Sequence, residues 1–187
     1  MEDDLREAIK ILKAGGVILY PTDTIWGIGC DATNEAAVAR VYDIKQRAES
    51  KAMLVLLDDE NRLERYVDEV PEVAYNLIEV AVKPLTIIYD RARNLARNLL
   101  ADDGSVGIRI TREAFSSRLC RGLRRPIVST SANISGQPSP ATFDQISDEI
   151  KNAVDYVVRY RQDDLTPSAP SSVIKLGSDG CFKILRN

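Results

Sequence analysis

Apolar residues recur along this chain alternately at helical and at strand spacing. Leu5, Ala8, Ile9 and Leu12 fall on one helical face, and Gly15-Gly16 supplies a stop before the apolar run 17–20. Asn34 suits a helix cap. The helix it opens carries Val38, Val41, Tyr42 and Lys45 and hands Arg47 and Lys51 on to a strand at 53–57. Further helical patterns cover 61–67 and 72–82, followed by a strand at 85–89, a short helix at 94–100, a strand at 105–110, a helix at 113–122 and a strand at 127–130. Thr142 and Gln145 form a capping-box pattern for a helix ending near Ala153, and strands near 156–160, 172–176 and 182–185 close the chain. The late strands follow one another without helices between them, so some must pair antiparallel. The pattern predicts an α/β (α+β) fold: a mixed, twisted open sheet with flanking helices, in one domain spanning 1–187.

Composition narrows the chemistry. With 44% hydrophobic and 28% charged residues the chain is that of an ordinary globular protein. Its longest apolar runs, such as 53–57, fall far short of the ~20 residues of a membrane span, and the acidic N-terminus lacks signal-peptide features. A cytoplasmic location and no membrane partner are expected. There is no histidine, which excludes Cys–His and Ser-His-Asp nucleophiles and the usual His-bearing zinc sites. Cys30, Cys120 and Cys181 are widely spaced and odd in number, so neither a disulfide framework nor a CxxC pair is offered. What remains is lysine, arginine, carboxylates, hydroxyls, backbone amides and a borrowed metal ion.

The net charge of −3 hides an asymmetry. Nine arginines stand against four acids between Asp90 and Arg125, a local balance of +5. Arginine favours bidentate contact with carboxylate or phosphate, although solvated faces paired with acids elsewhere give the same count. Pro21-Thr22-Asp23-Thr24 places hydroxyls and a carboxylate just after a strand, where open α/β sheets bind ligands, and Gly27 and Gly29 permit close backbone approach there. Lys45, Arg47 and Lys51 crowd three like charges into seven residues, which suits either a polyphosphate or a solvated helix end. The run Ser129-Thr130-Ser131-Ala132-Asn133-Ile134-Ser135-Gly136 caps another apolar strand with polar groups. Arg109 interrupts the strand Val106-Gly107-Ile108, a charge that is costly to bury without an anion.

These motifs, with Pro84-Leu85-Thr86, Pro170-Ser171-Ser172-Val173 and Ile184-Leu185-Arg186, resemble in order and over nearly the whole chain the YrdC-type family, the L-threonylcarbamoyladenylate synthases. The resemblance implies a concave, basic cavity and formation of threonylcarbamoyl-AMP and pyrophosphate from L-threonine, bicarbonate and ATP. That reaction is the first step of threonylcarbamoyladenosine formation in tRNA, with a tRNA threonylcarbamoyl transferase downstream. It implies Thr24, Arg109, Ser131 and Ser171 on threonine. Arg47, Lys51, Ser105, Asn133 and Arg186 would hold ATP, with Lys45, Arg47 and Lys51 as the catalytic cations and Mg²⁺ on the phosphates. Departures from the family pattern stand at Ala48, Ala52-Met53, Leu56 and Ser172. The chain ends at Asn187, like the single-domain members. Competing readings are a YrdC-like paralogue without this activity and a double-stranded-RNA-binding module.

Overall fold

The computed structural model describes residues 1–47, 53–177 and 180–186. Lys51, Ala48 and Ala52 therefore lie outside the described residues. Helix α1 (Glu2–Lys13) opens with Glu2, Asp3 and Asp4 and ends with Lys10 and Lys13, charges that complement the helix dipole. It buries Asp4, Ala8 and Leu12. Gly15, at φ 82°, then turns the chain into β1 (Ile18–Tyr20). After β2 (Gly27–Gly29), helix α2 (Glu35–Lys45) is capped by Asn34, whose side chain accepts from the Ala37 amide at 3.1 Å. The α2 helix leads to β3 (Leu54–Leu57), α3 (Glu72–Val80), β4 (Leu85–Tyr89), β5 (Val106–Ile110), α4 (Ala114–Leu123) and β6 (Ile127–Ser131). The chain closes with α5 (Asp148–Ala153), β7 (Tyr156–Val157), β8 (Ser172–Leu176) and β9 (Phe182–Arg186).

Among the described residues the strands form one sheet in the order β7-β1-β2-β6-β3-β5-β4-β8-β9. Pairing is mixed, as the late strands foretold. The β7–β1, β3–β5 and β4–β8 pairs are parallel, and β1–β2, β2–β6, β3–β6, β4–β5 and β8–β9 are antiparallel. Val17, Ile18, Leu19, Ile28, Val55, Leu57, Ile127 and Val128 are fully buried, so the core follows the central strands.

Three expectations change. Gly27-Ile28-Gly29 is a strand between β1 and β6, in which Gly27 lines the central cleft and Gly29 is shut in by its neighbours. A Cβ on Gly29 would stand 2.5 Å from the Val128 carbonyl oxygen and 2.6 Å from the Tyr20 ring. The glycine there serves strand packing. The 61–67 and 94–100 helices tighten to 3₁₀ turns at Glu60–Arg65 and Arg97–Leu99. Thr142 does not cap α5: its hydroxyl donates to Asp144, Gln145 accepts from the Ala141 amide, and Ser147 caps the helix by accepting from Ile150.

Candidate active site

A cleft of about 350 Å³ opens over the middle of the sheet. Thr24, Arg47, Ser105, Arg109, Ser131, Ser171 and Arg186 all line it, so seven of the ten residues singled out from sequence meet in one hollow. Lys51 falls outside the described residues. Lys45 and Asn133 are placed elsewhere.

The turn after β1 is built by its own hydroxyls. Thr22 Oγ1 donates to the Ile25 carbonyl at 2.8 Å and accepts from the Thr24 amide at 3.0 Å. Its single hydrogen is thereby used, so the 3.0 Å contact between the two hydroxyls has Thr24 as donor. Thr24 Oγ1 in turn accepts from Arg109 Nη2 at 3.2 Å. The same Nη2 lies 3.0 Å from Asp23 Oδ1, with side-chain exposures of 3% for Arg109 and 13% for Asp23. Burial pushes the Asp23 carboxyl up and the guanidinium partly offsets it. Arg109 Nε is buried and has no hydrogen-bond partner among the described residues.

The facing wall is tied together in the same way. Ser171 and Thr86 share a hydrogen bond at 2.8 Å. Arg186 Nε donates to the Ser171 carbonyl at 2.8 Å and Nη2 to its hydroxyl at 3.4 Å. Arg186, assigned to the nucleotide, is thus bonded to a residue assigned to threonine. Thr86 joins the expected residues on the cleft wall, and its signal in the sequence is a hydroxyl within the otherwise apolar run Leu85 to Tyr89.

Lys45 stands behind the cleft wall, against Ser131, rather than on the wall itself. Its side chain is buried, and the ammonium donates to the carbonyls of Ser131 at 2.5 Å and Asn133 at 2.7 Å, with the Ser131 hydroxyl at 3.5 Å. The Lys45 carbonyl accepts from the Ser135 amide at 2.8 Å. One residue therefore staples the loop after β6 from both its ends. Burial pushes the ammonium down to about 8, and the nearby Arg47 charge adds to the fall. Asn133 is likewise inward: its amide donates to Gln137 O at 2.7 Å and Ile134 O at 3.0 Å, so the side chain holds loop shape and does not line the cleft.

The arginine-rich middle of the chain mostly faces away. Arg118 pairs with Glu2, Arg121 with Asp58, Arg91 and Arg93 with Asp68, and Arg125 with Asp31. Of the nine arginines only Arg109 lines the cleft. Its companions Arg47 and Arg186 come from distant parts of the chain. Among the described residues no carboxylate lines the cleft, and no group of three or more His, Cys, Asp or Glu is placed to hold a metal. Trp26 forms part of the wall and packs on Phe143 with ring centroids 4.8 Å apart. Leu56 is fully buried in β3 and does not line the cleft.

The chain as a whole has counterparts among known proteins. The family model Sua5_yciO_yrdC, described as "Telomere recombination", matches residues 10–187. A Methanocaldococcus jannaschii protein is 35% identical over 188 aligned residues, covering 98% of this chain and 87% of its own. The "Threonylcarbamoyl-AMP synthase" of Psychromonas ingrahamii is 32% identical over 154 residues, with 81% of each chain covered. The crystal structure of P. abyssi Sua5 complexed with L-threonine superposes with a TM-score of 0.88 at 25% identity over 100% of this chain and 54% of that one. This chain spans about half the length of the P. abyssi protein. With a family model covering almost every residue and the same fold in the solved relative, the chain belongs to the Sua5/YciO/YrdC family.

Proposed function

We propose that this chain, as a single domain over 1–187, makes threonylcarbamoyl-AMP from L-threonine, bicarbonate and ATP and releases pyrophosphate. The carrying observation is the cleft itself, which sets three arginines among eight hydroxyl side chains with no carboxylate on its wall among the described residues. A polyphosphate and an amino-acid carboxylate side by side bring at least four negative charges, and that lining suits them. The names of the relatives support the same reading.

Threonine sits at the Thr24, Arg109, Ser131 and Ser171 end, with its carboxylate on Arg109. ATP lies along Arg47, Ser105 and Arg186, its base against the apolar wall of Met53, Leu54, Ile88 and Val106. The threonine amine adds to bicarbonate-derived carbon dioxide to give a carbamate. A carbamate oxygen then attacks the α-phosphorus in line as pyrophosphate leaves, so the chain needs neither a covalent nucleophile nor a histidine. Its contribution is to hold two anions in register and neutralise their charge, and positioning of this kind is worth ~7–11 kcal/mol. The described cleft residues offer no acidic ligand for Mg²⁺. The ion belongs to the nucleotide, and no step is assigned to it. The product would pass to a tRNA threonylcarbamoyl transferase. Duplex RNA as the primary ligand is disfavoured, because surface arginines at 91, 93, 118, 121 and 125 are already bonded to carboxylates.

The test is pyrophosphate release from ATP with threonine and bicarbonate omitted in turn. Release that requires both supports the proposal. Release at the same rate without threonine refutes it.

A further inference from the structure

The hydroxyl pair Thr22 and Thr24 is held from outside by a residue that the reaction described above does not use. Arg161 has φ 66°, in the left-handed region that costs a side-chain-bearing residue and that glycine occupies freely. Its guanidinium joins three segments. Nη1 donates to the Thr22 carbonyl at 3.1 Å, Nε and Nη2 both donate to Asp164 Oδ2 at 3.1 and 2.9 Å, and Nη1 lies 3.8 Å from Glu113 Oε1. Glu113 is the N-cap of α4, accepting from the Phe115 and Ser116 amides. From Arg161 the chain runs on to Ser171 on the opposite wall of the cleft, with Asp164, Thr166 and Ser168 lying against Thr22, Thr24 and Trp26.

We infer that Arg161 is a positioning residue for the amino-acid end of the cleft. By fixing the Thr22 carbonyl it keeps the relay Thr22–Thr24–Arg109 aligned, so that Thr24 and Arg109 present their polar groups to the substrate together. This rests on the threonine reading above. The clamp ties the Thr22 turn to the N-cap of α4 and to the segment that leads on to Ser171, so it acts on the amino-acid end of the cleft.

R161G separates the two roles. Glycine accepts φ 66° without penalty, so the variant should melt within about 2 °C of wild type. Its threonine KM should rise about tenfold, the scale of one lost charge-assisted hydrogen bond, while its ATP KM stays within about twofold. Trp26, the only tryptophan, lines the cleft beside this turn, so threonine titration followed by its fluorescence should report the same shift without turnover. An R161G protein with wild-type threonine affinity would overturn the inference. So would threonine and ATP KM rising together with a fallen melting temperature, which is general loosening. Wild-type protein that turns over no ATP in the presence of threonine would remove the underlying reading, and the inference with it.

Discussion

Replacing Arg109 by methionine keeps the aliphatic stem but removes the guanidinium 3.0 Å from Asp23 Oδ1. At an effective dielectric of ~20, that separation corresponds to about 5 kcal/mol of attraction before desolvation is charged against it. The variant leaves a carboxylate only 13% exposed with no counter-ion, and breaking a buried pair from one side costs about 3–5 kcal/mol. With an m-value of about 2–3 kcal/mol/M the urea midpoint should fall by roughly 1–2 M at pH 7. The pH dependence has a definite sign. Asp23 already holds its proton more tightly folded than unfolded, and Arg109 is the charge that opposes this. In R109M that opposition is gone, so as the pH falls Asp23 takes up its proton in the folded chain before the unfolded one and the deficit shrinks. D23N in the R109M background should recover most of the loss, giving a coupling energy well above the ~0.5 kcal/mol of independent sites. A deficit below about 1 kcal/mol, or one equally large in the D23N background, would refute the buried-pair account.

Gly29→Ala forces a methyl within 2.5 Å of the Val128 carbonyl oxygen and 2.6 Å of the Tyr20 ring, so a loss of about 3 kcal/mol or more is expected, and thermal melts coincident with wild type would contradict it. Lys45 titrates near 8 when folded against 10.5 as the free side chain, so the unfolded chain binds the proton more tightly in that window and the contribution of Lys45 to stability rises with pH across it. The urea stability of wild type relative to K45M should gain as much as ~3 kcal/mol between pH 8 and 10.5, and a flat difference would show that the ammonium is not confined.

The order of helices and strands was largely legible because α1, α2, α4 and the apolar strands carry strong periodicity. The β2 strand was not, since Gly-Ile-Gly has no strand propensity and is fixed by long-range pairing to Tyr20 on one side and Ser131 on the other. Gln145 misled because a local pattern cannot reveal that its carbonyl accepts from Ala141 rather than from Thr142. At the site, residue types were readable but directions were not. Lys45 and Arg47 look alike in sequence, yet the ammonium turns inward to two carbonyls while Arg47 reaches the cleft. The contact made by Arg161 was not legible, since it reaches a carbonyl 139 residues away. The arginine excess at 90–125 belongs mostly to solvated faces paired with acids, and the cavity joins Arg109 from that stretch to Arg47 and Arg186 from outside it.

If one cleft couples an amino acid, a one-carbon unit and a nucleotide, the short-lived product formed from ¹³C-bicarbonate, ATP and threonine has the mass of an adduct of AMP and threonine with one ¹³C between them, which mass spectrometry of the quenched reaction reads. An AMP–threonine adduct without the label, or pyrophosphate released with no adduct at all, would contradict that coupling.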